Sequence, residues 1–187
     1  MVPLMVGLTA DPTHVSVRDV PQGGETFTVE TLREMRRLSM EDAHHPDLVR
    51  LARAAVRQLP NKDVFGEADR IFGLVKRSVR YVYDPNGLEW VQRPTVTLFA
   101  EGQGDCDDHA TAVAALAMAL GHGASFITVA GDPRREPGSW SHVYAAIGVR
   151  KAGVTYWVPA DTIHSGSTLA WEPTAITARQ RWIVKAA

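Results

Sequence analysis

Hydrophobic residues recur at three- and four-residue steps in three successive segments of the N-terminal half of the chain. This spacing places apolar side chains on one face of a helix. It predicts helices over about Thr31 to Ala43, Pro46 to Leu59 and Val64 to Tyr83, the last ended by the turn-forming residues 84–87. Charged residues fill the remaining positions, so we expect three helices that pack on a core.

A fourth segment, from Thr111 to Leu120, is almost continuously apolar and rich in alanine, which is typical of a helix buried on most sides. Gly121 is placed to end it. Four runs with strand-like patterns follow, separated by turn-forming residues: Ser125 to Ala130, Ser139 to Val149, Val154 to Ala160 and Arg181 to Lys185. The predicted order is helices, one buried helix and then an antiparallel sheet.

The first 24 residues mix proline, glycine and polar residues without periodicity, apart from a possible short strand around His14 to Val20. We interpret residues 1–24 as an N-terminal arm. The remaining residues, 25–187, are then predicted to form a single domain, since a chain of 187 residues has the size of one ordinary globular domain.

Composition narrows the class of partner. Twenty Lys and Arg residues against 21 Asp and Glu give a net charge of -1, which does not attract nucleic acid or an anionic membrane. No stretch approaches the roughly 20 apolar residues that span a bilayer, and the N-terminus lacks the features of a signal peptide. We therefore expect a small or peptide-like partner and a cytoplasmic location.

Cys106 is the single cysteine, so it cannot form an internal disulfide. We therefore ask whether its thiol has a chemical role. It follows two glycines and Asp105, which favour a tight turn and a helix cap. Amide N–H groups at a helix N-terminus lower the pKa of a thiol and can hold an oxyanion. The negative charges of Asp105, Asp107 and Asp108 would raise the pKa of the thiol unless these side chains cap the helix. The thiolate would therefore need an imidazolium partner.

His142 and Asp161 lie in two successive predicted strands. If the turn between them centres on Lys151 and Ala152, the antiparallel register places His142 directly opposite Asp161. Opposed residues share a face with Cβ atoms about 5 Å apart. The carboxylate could then accept a hydrogen bond from one imidazole nitrogen while the other nitrogen faces the thiol.

The segment Gly104-Asp105-Cys106 before an alanine-rich helix, the strand segment 141–144 with His142, and the segment 157–162 with Asp161 resemble the transglutaminase-like superfamily. The resemblance covers about Phe65 to Thr162 and preserves the order Cys, His, Asp. It implies an α+β, papain-like/transglutaminase-like core in which the Cys helix packs on an antiparallel sheet. Residues 83–94 and 104–108 further resemble members encoded by phages and prophages, which would make a virion-associated location possible.

The resemblance implies that Cys106 is the nucleophile, His142 the base and Asp161 the orienting acid of a cysteine-dependent amide or peptide hydrolase or acyl transferase. The reaction would pass through a thioester. The expected substrate is a peptide or protein carboxamide, and no cofactor is expected. Hydrolysis is the simpler outcome, because acyl transfer also requires a site that holds an amine and excludes water.

A second oxyanion donor is expected beside the Cys106 amide, and Trp90, Gln92 and Gln103 are the upstream candidates on their chemistry. The loop from Gly131 to Ser139 enters the strand of His142 and could form one wall of a cleft or a solvated connection.

Other interpretations remain at this point. A lone cysteine is often a small buried apolar residue, and the chain could be a non-catalytic binding protein or a virion-associated structural protein that retains the fold. Asp105, Asp107, Asp108 and His109 could converge on a divalent cation, but their spacing matches no calcium loop or zinc motif, so no metal is predicted.

Overall fold

The computed structural model describes residues 15–19, 25–85, 88–131 and 139–187. The helices within these ranges are α1 (Glu25–Asp42), α2 (Pro46–Val56), α3 (Val64–Ser78), a π-helical segment (Val96–Glu101) and α4 (Cys106–Ala119). The strands are β1 (Val15–Asp19), β2 (Arg80–Tyr81), β3 (Leu88–Gln92), β4 (Gln103–Gly104), β5 (Gly123–Ala130), β6 (Trp140–Lys151), β7 (Val154–Ala160) and β8 (Ala178–Lys185). None of the described helices is both long and apolar enough to cross a membrane.

Helix α4 lies at the centre of the core. Every residue from Asp107 to Met118 is buried, and the helix contacts α1, α2 and α3 as well as β5 and β6. Its alanines allow neighbouring elements to approach closely, because a short side chain keeps the packed backbones near one another. The predicted buried helix and the α+β arrangement are confirmed, with Cys106 at the first residue of the helix that packs on the sheet.

Four strands form an antiparallel sheet in the order β7-β6-β5-β8. All four correspond to the runs predicted from the sequence. His142 lies near the start of β6, and Asp161 follows the last residue of β7. Since β6 and β7 are antiparallel neighbours, both residues lie at the same end of the sheet.

The turn between β6 and β7 differs from the prediction. Lys151 pairs with Val154, so the two central residues of the turn are Ala152 and Gly153, with φ values of 51° and 80°. Two positive φ angles match the type I′ turn that a two-residue hairpin favours, and glycine suits the second position. The predicted turn centred on Lys151 and Ala152 was therefore wrong.

This correction shifts the register around the site. Ala145 pairs with Ala160, so Asp161 comes level with Tyr144 and not with His142. The difference amounts to two residues along one strand, and side chains two residues apart point to the same face. His142 and Asp161 are thus diagonal neighbours on one face, a separation that long side chains can bridge.

Helix α3 is shorter than predicted. It ends at Ser78 and not at Tyr83, because Val79 is extended with φ -113° and ψ 123°. The apolar steps continue beyond Ser78, but the following β-branched and aromatic residues also suit a strand. They form β2, which pairs in parallel with β4 and places Tyr81 beside Gly104. This pairing holds the backbone of residues 103–104, which lie just before Cys106.

Strand β1 confirms the strand predicted around His14 to Val20 and pairs antiparallel with β3. The rest of residues 1–24 lies outside the described residues, so the division into an arm and a domain at residue 25 stays a prediction. The loop residues 132–138, predicted as one wall of a cleft, also lie outside the described residues.

Replacing Leu116 by alanine tests the central position of α4. Leu116 is 0% exposed, and a large-to-small change at such a site should lower the free energy of unfolding by about 2–5 kcal/mol. Val154→Ala is the control, because Val154 is 51% exposed and its truncation should change stability by about 0.5 kcal/mol or less. Urea denaturation measures both values, and equal effects would contradict the placement of α4 in the core.

Candidate active site

The backbone before Cys106 is capped by two aspartates. The Asp105 carboxylate accepts a hydrogen bond from the Asp107 amide at 3.2 Å, and the Asp108 carboxylate accepts one from the Asp105 amide at 3.3 Å. This reciprocal arrangement is a capping box that starts α4 at Cys106. Two of the three carboxylates next to the thiol therefore bind backbone N–H groups, which is the capping role considered for them from the sequence.

The Cys106 thiol lies against β6, where it receives a hydrogen bond from the backbone of Val143, the residue after His142. Burial raises the pKa of Cys106 well above its ordinary value, and the negative charge of Asp105 acts in the same direction. The hydrogen bond from Val143 opposes this shift without reversing it. The resting sulfur is therefore a neutral thiol that must lose its proton when it attacks.

His142 and Asp161 are in direct contact. Nε2 of His142 lies 2.9 Å from Oδ2 of Asp161, and Asp161 is buried while His142 is partly exposed. Burial alone would raise the pKa of Asp161, but the hydrogen bond and charge of His142, with backbone N–H groups of the following residues, outweigh it and lower the pKa. Asp161 is thus ionised, and Nδ1 is the imidazole nitrogen that this hydrogen bond does not use.

The segment after Asp161 is held by Lys76 of α3. The Lys76 ammonium donates to the backbone carbonyls of His164 at 2.9 Å, Ser165 at 3.1 Å and Ser167 at 2.6 Å. The Ser167 hydroxyl in turn lies 2.6 Å from the Asp161 carbonyl. Sequence reasoning missed this lysine, because nothing in the local pattern links it to residues 88 to 91 positions away.

His109 is a second buried histidine near the site, one turn beyond Cys106 on α4. Its Nδ1 lies 2.9 Å from the hydroxyl of Thr162, the residue after Asp161. Its Nε2 is buried and has no hydrogen-bond partner among the described residues. Burial lowers the pKa of His109 from 6.5 to about 4, so the ring is neutral near pH 7. The sequence suggested His109 only as a metal ligand, whereas the structure connects it to the segment of Asp161.

The three oxyanion candidates lie on β3 and β4, next to the start of α4. The side-chain nitrogen of Gln92 donates to the Asp108 carboxylate at 2.9 Å and to the Gln103 carbonyl at 3.2 Å. Both of its N–H groups therefore have acceptors in this arrangement. The side-chain oxygen of Gln103 accepts from Arg80, and Trp90 is 36% exposed. An oxyanion role for any of the three stays a prediction.

The carboxylates of Asp105, Asp107 and Asp108 place one oxygen each within 4.8 Å of one another. Asp107 is buried, and neither of its oxygens has a hydrogen-bond partner among the described residues. Burial raises the pKa of Asp107 well above its ordinary value, and the charge of Asp105 adds to the effect. Capping of α4 accounts for the positions of Asp105 and Asp108, and the cluster carries no cation assignment.

A family model described as the transglutaminase-like superfamily matches residues 51–162, more than half of the chain. The chain belongs to the transglutaminase-like superfamily. Its core is accordingly of the transglutaminase-like/papain-like kind, as the resemblance implied. The matched segment contains Cys106, His142 and Asp161, and family membership supports a cysteine hydrolase or transferase kind of protein.

Among solved structures, the chain is similar to a putative cysteine protease from Cytophaga hutchinsonii, with 16% sequence identity and a TM-score of 0.48. The similarity covers 75% of this chain and 52% of that one, so the chain spans about half the length of that protein. No curated protein matches this member of the superfamily. The resemblance to phage-encoded members stays a prediction.

Asp105→Asn tests the cause of the high thiol pKa. Asparagine can still cap α4, but the negative charge is lost, so the thiolate is stabilised and the pKa of Cys106 should fall. The measurement is the rate of iodoacetamide alkylation as a function of pH, whose midpoint should move to lower pH. Asp63→Asn makes the same change at the N-cap of α3 and serves as the control. An unmoved midpoint in Asp105→Asn would contradict the assigned cause.

His109→Asn tests the burial of the second histidine. The folded-state pKa of His109 lies below its unfolded value, so the wild type loses stability as pH falls from 6.5 to about 4. The contribution is up to about 3 kcal/mol and should vanish in the variant. Urea denaturation across this pH range measures it, with His44→Asn at an exposed histidine as the control. Parallel stability curves for wild type and His109→Asn would rule out the assignment.

Proposed function

We propose that the protein is a cysteine-dependent hydrolase of amides or peptides that forms a thioester on Cys106, with transfer of the acyl group to an amine as the related outcome. Membership of the transglutaminase-like superfamily supports the kind of chemistry. The observation that carries the proposal is the His142–Asp161 hydrogen bond of 2.9 Å beside the Val143 backbone that binds the thiol. It is the arrangement needed for a nucleophile, a base and an orienting acid.

In the acylation step, His142 Nδ1 accepts the thiol proton as the sulfur attacks the carbonyl carbon of a carboxamide. A C–S bond forms, and the carbonyl π electrons move to oxygen. When this intermediate collapses, the C–N bond breaks and the leaving amine takes the proton from the imidazolium. Because the pKa of Cys106 is raised, proton transfer accompanies the attack in place of a preformed thiolate.

Asp161 acts through His142 in this scheme. Its carboxylate accepts the hydrogen bond from Nε2, which selects the tautomer with Nδ1 free to take a proton and stabilises the imidazolium that forms. The lowered pKa of Asp161 keeps the carboxylate ionised while His142 changes charge. The Lys76 contacts hold the backbone of the segment that carries this acid.

The oxyanion of the intermediate would lie near the N-terminus of α4, where the Cys106 amide can donate. Trp90 and Gln103 remain candidates for a second donor. Gln92 is the weakest of the three, because its N–H groups bind Asp108 and Gln103.

Hydrolysis is the favoured resolution of the thioester. The His142 side chain is 23% exposed, so water can reach the imidazole that must activate it. Water loses a proton to His142, attacks the thioester carbonyl and releases a carboxylic acid, while the sulfur leaves and recovers its proton. A peptide or protein carboxamide is the proposed substrate class.

Acylation by p-nitrophenyl acetate tests the proposal without knowledge of the natural substrate. The wild type should release a burst of p-nitrophenol and carry one acetyl group on Cys106 by mass spectrometry. Cys106→Ala should abolish the burst, and His142→Ala should slow acylation by about 10²–10⁴-fold at neutral pH, the usual contribution of a general base.

Circular dichroism should show that both variants keep the wild-type fold. A burst that persists in Cys106→Ala would exclude the mechanism. A folded wild type whose Cys106 is not acetylated, or is acetylated equally well without His142, would instead favour the non-catalytic binding or virion-associated structural protein.

A further inference from the structure

Asp108 joins three parts of the chain around the thiol. One of its carboxylate oxygens accepts a hydrogen bond from the Gln92 backbone amide at 2.7 Å. The other accepts from the Gln92 side chain at 2.9 Å and from the Asp105 amide at 3.3 Å. Gln92 also reaches the Gln103 carbonyl at 3.2 Å. We call these four hydrogen bonds the Asp108–Gln92 tie.

The tie is buried and closely packed. Asp108 is 0% exposed and Gln92 is 7% exposed. A Cβ atom on Gly104 would lie 2.4 Å from an Asp108 oxygen and 2.5 Å from its Cβ, so the backbone before Cys106 packs directly on the aspartate. Only glycine allows this approach. The position of the Gly104–Cys106 backbone is therefore set by the Asp108 side chain.

The tie requires two acceptor oxygens at position 108. Burial and the charge of Asp105 raise the pKa of Asp108, whereas the hydrogen bonds from the Gln92 and Asp105 amides oppose this increase. All three groups that face Asp108 are N–H donors, so both of its oxygens must accept. An asparagine at this position would turn its NH₂ group toward one of these donors. Two buried N–H groups would then face each other without an acceptor.

The charge of Asp108 does not help the thiol directly, because it adds to the increase in the Cys106 pKa. A positioning role explains why a carboxylate stands two residues after the nucleophile.

We propose that Asp108 and Gln92 are positioning residues for acylation, because their tie holds the Gly104–Cys106 backbone and thereby the sulfur and the Cys106 amide in place. The inference rests on the proposed function of Cys106. It gives Gln92 a role through the backbone in place of the role of oxyanion donor.

The test compares Asp108→Asn, Gln92→Met and the double variant in the p-nitrophenyl acetate burst. Each single variant should reduce the first-order acylation rate constant by roughly 10- to 100-fold, since small displacements of reacting groups have effects of this size. The double variant should be no slower than the slower single variant, because both changes break the same tie. Asp63→Asn and Gln180→Met, at a distant helix cap and on an exposed position of β8, should keep the wild-type rate.

Two readouts separate positioning from other roles. Loss of folded protein lowers the burst amplitude but leaves its rate constant unchanged. Asparagine at position 108 cannot carry the negative charge that disfavours the thiolate, so iodoacetamide should alkylate Asp108→Asn at least as fast as the wild type while acylation slows. Gln92→Met keeps the charge and should still slow acylation. An electrostatic role alone would accelerate both reactions in Asp108→Asn and leave Gln92→Met unchanged.

Unchanged acylation rate constants in the single variants, or losses that add in the double variant, would overturn the inference while leaving the proposed function intact. If the wild type forms no acetyl-Cys106, the proposed function fails separately. Hydrogen–deuterium exchange then decides on the tie, since amides of residues 103–108 should exchange faster in both variants while those of β5 keep their rates. Unchanged exchange at residues 103–108 would overturn it.

Discussion

Burial of α4 on every side is the constraint on which the rest of the structure depends. A helix surrounded by three helices and two strands must carry small side chains, and its N-terminus must emerge at a defined point against β6. Cys106 occupies that point. The thiol is consequently placed by the packing of a whole helix, which is among the most rigid arrangements a domain offers.

The carboxylates around the N-terminus of α4 bind backbone N–H groups that the packing of the helix removes from water. A buried helix start leaves unsatisfied N–H groups, and the aspartates on either side of Cys106 satisfy them. The same carboxylates, together with burial, keep the thiol protonated at rest. The stability of the helix start and the reactivity of the sulfur are therefore opposed. The base proposed for the thiol, His142, would have to overcome this opposition.

Local patterns in the sequence were sufficient for α4 and the four strands of the sheet. They also placed His142 and Asp161 on one face, but as directly opposed residues and not as the diagonal neighbours that they are. They failed where two patterns fit equally well or where partners are distant. The end of α3 was misplaced because Val79 suits either a helix or a strand. The hairpin turn was misplaced by one residue, because Gly153 adopts the positive φ angle that places the turn at Ala152 and Gly153 and not at Lys151 and Ala152. Strand β3 and the Lys76 contacts were missed, since each depends on residues far apart in the chain. The π-helical segment was also missed.

The diagonal contact between His142 and Asp161 has a consequence for how such a chain can change in length. Insertion or deletion of two residues within β7 would leave the acid on the face of the histidine and only alter the reach between them. Insertion of one residue would turn the acid to the opposite face of the sheet. Length variation in this hairpin among descendants of the chain is therefore restricted by parity, and even steps are the ones compatible with a paired histidine and aspartate.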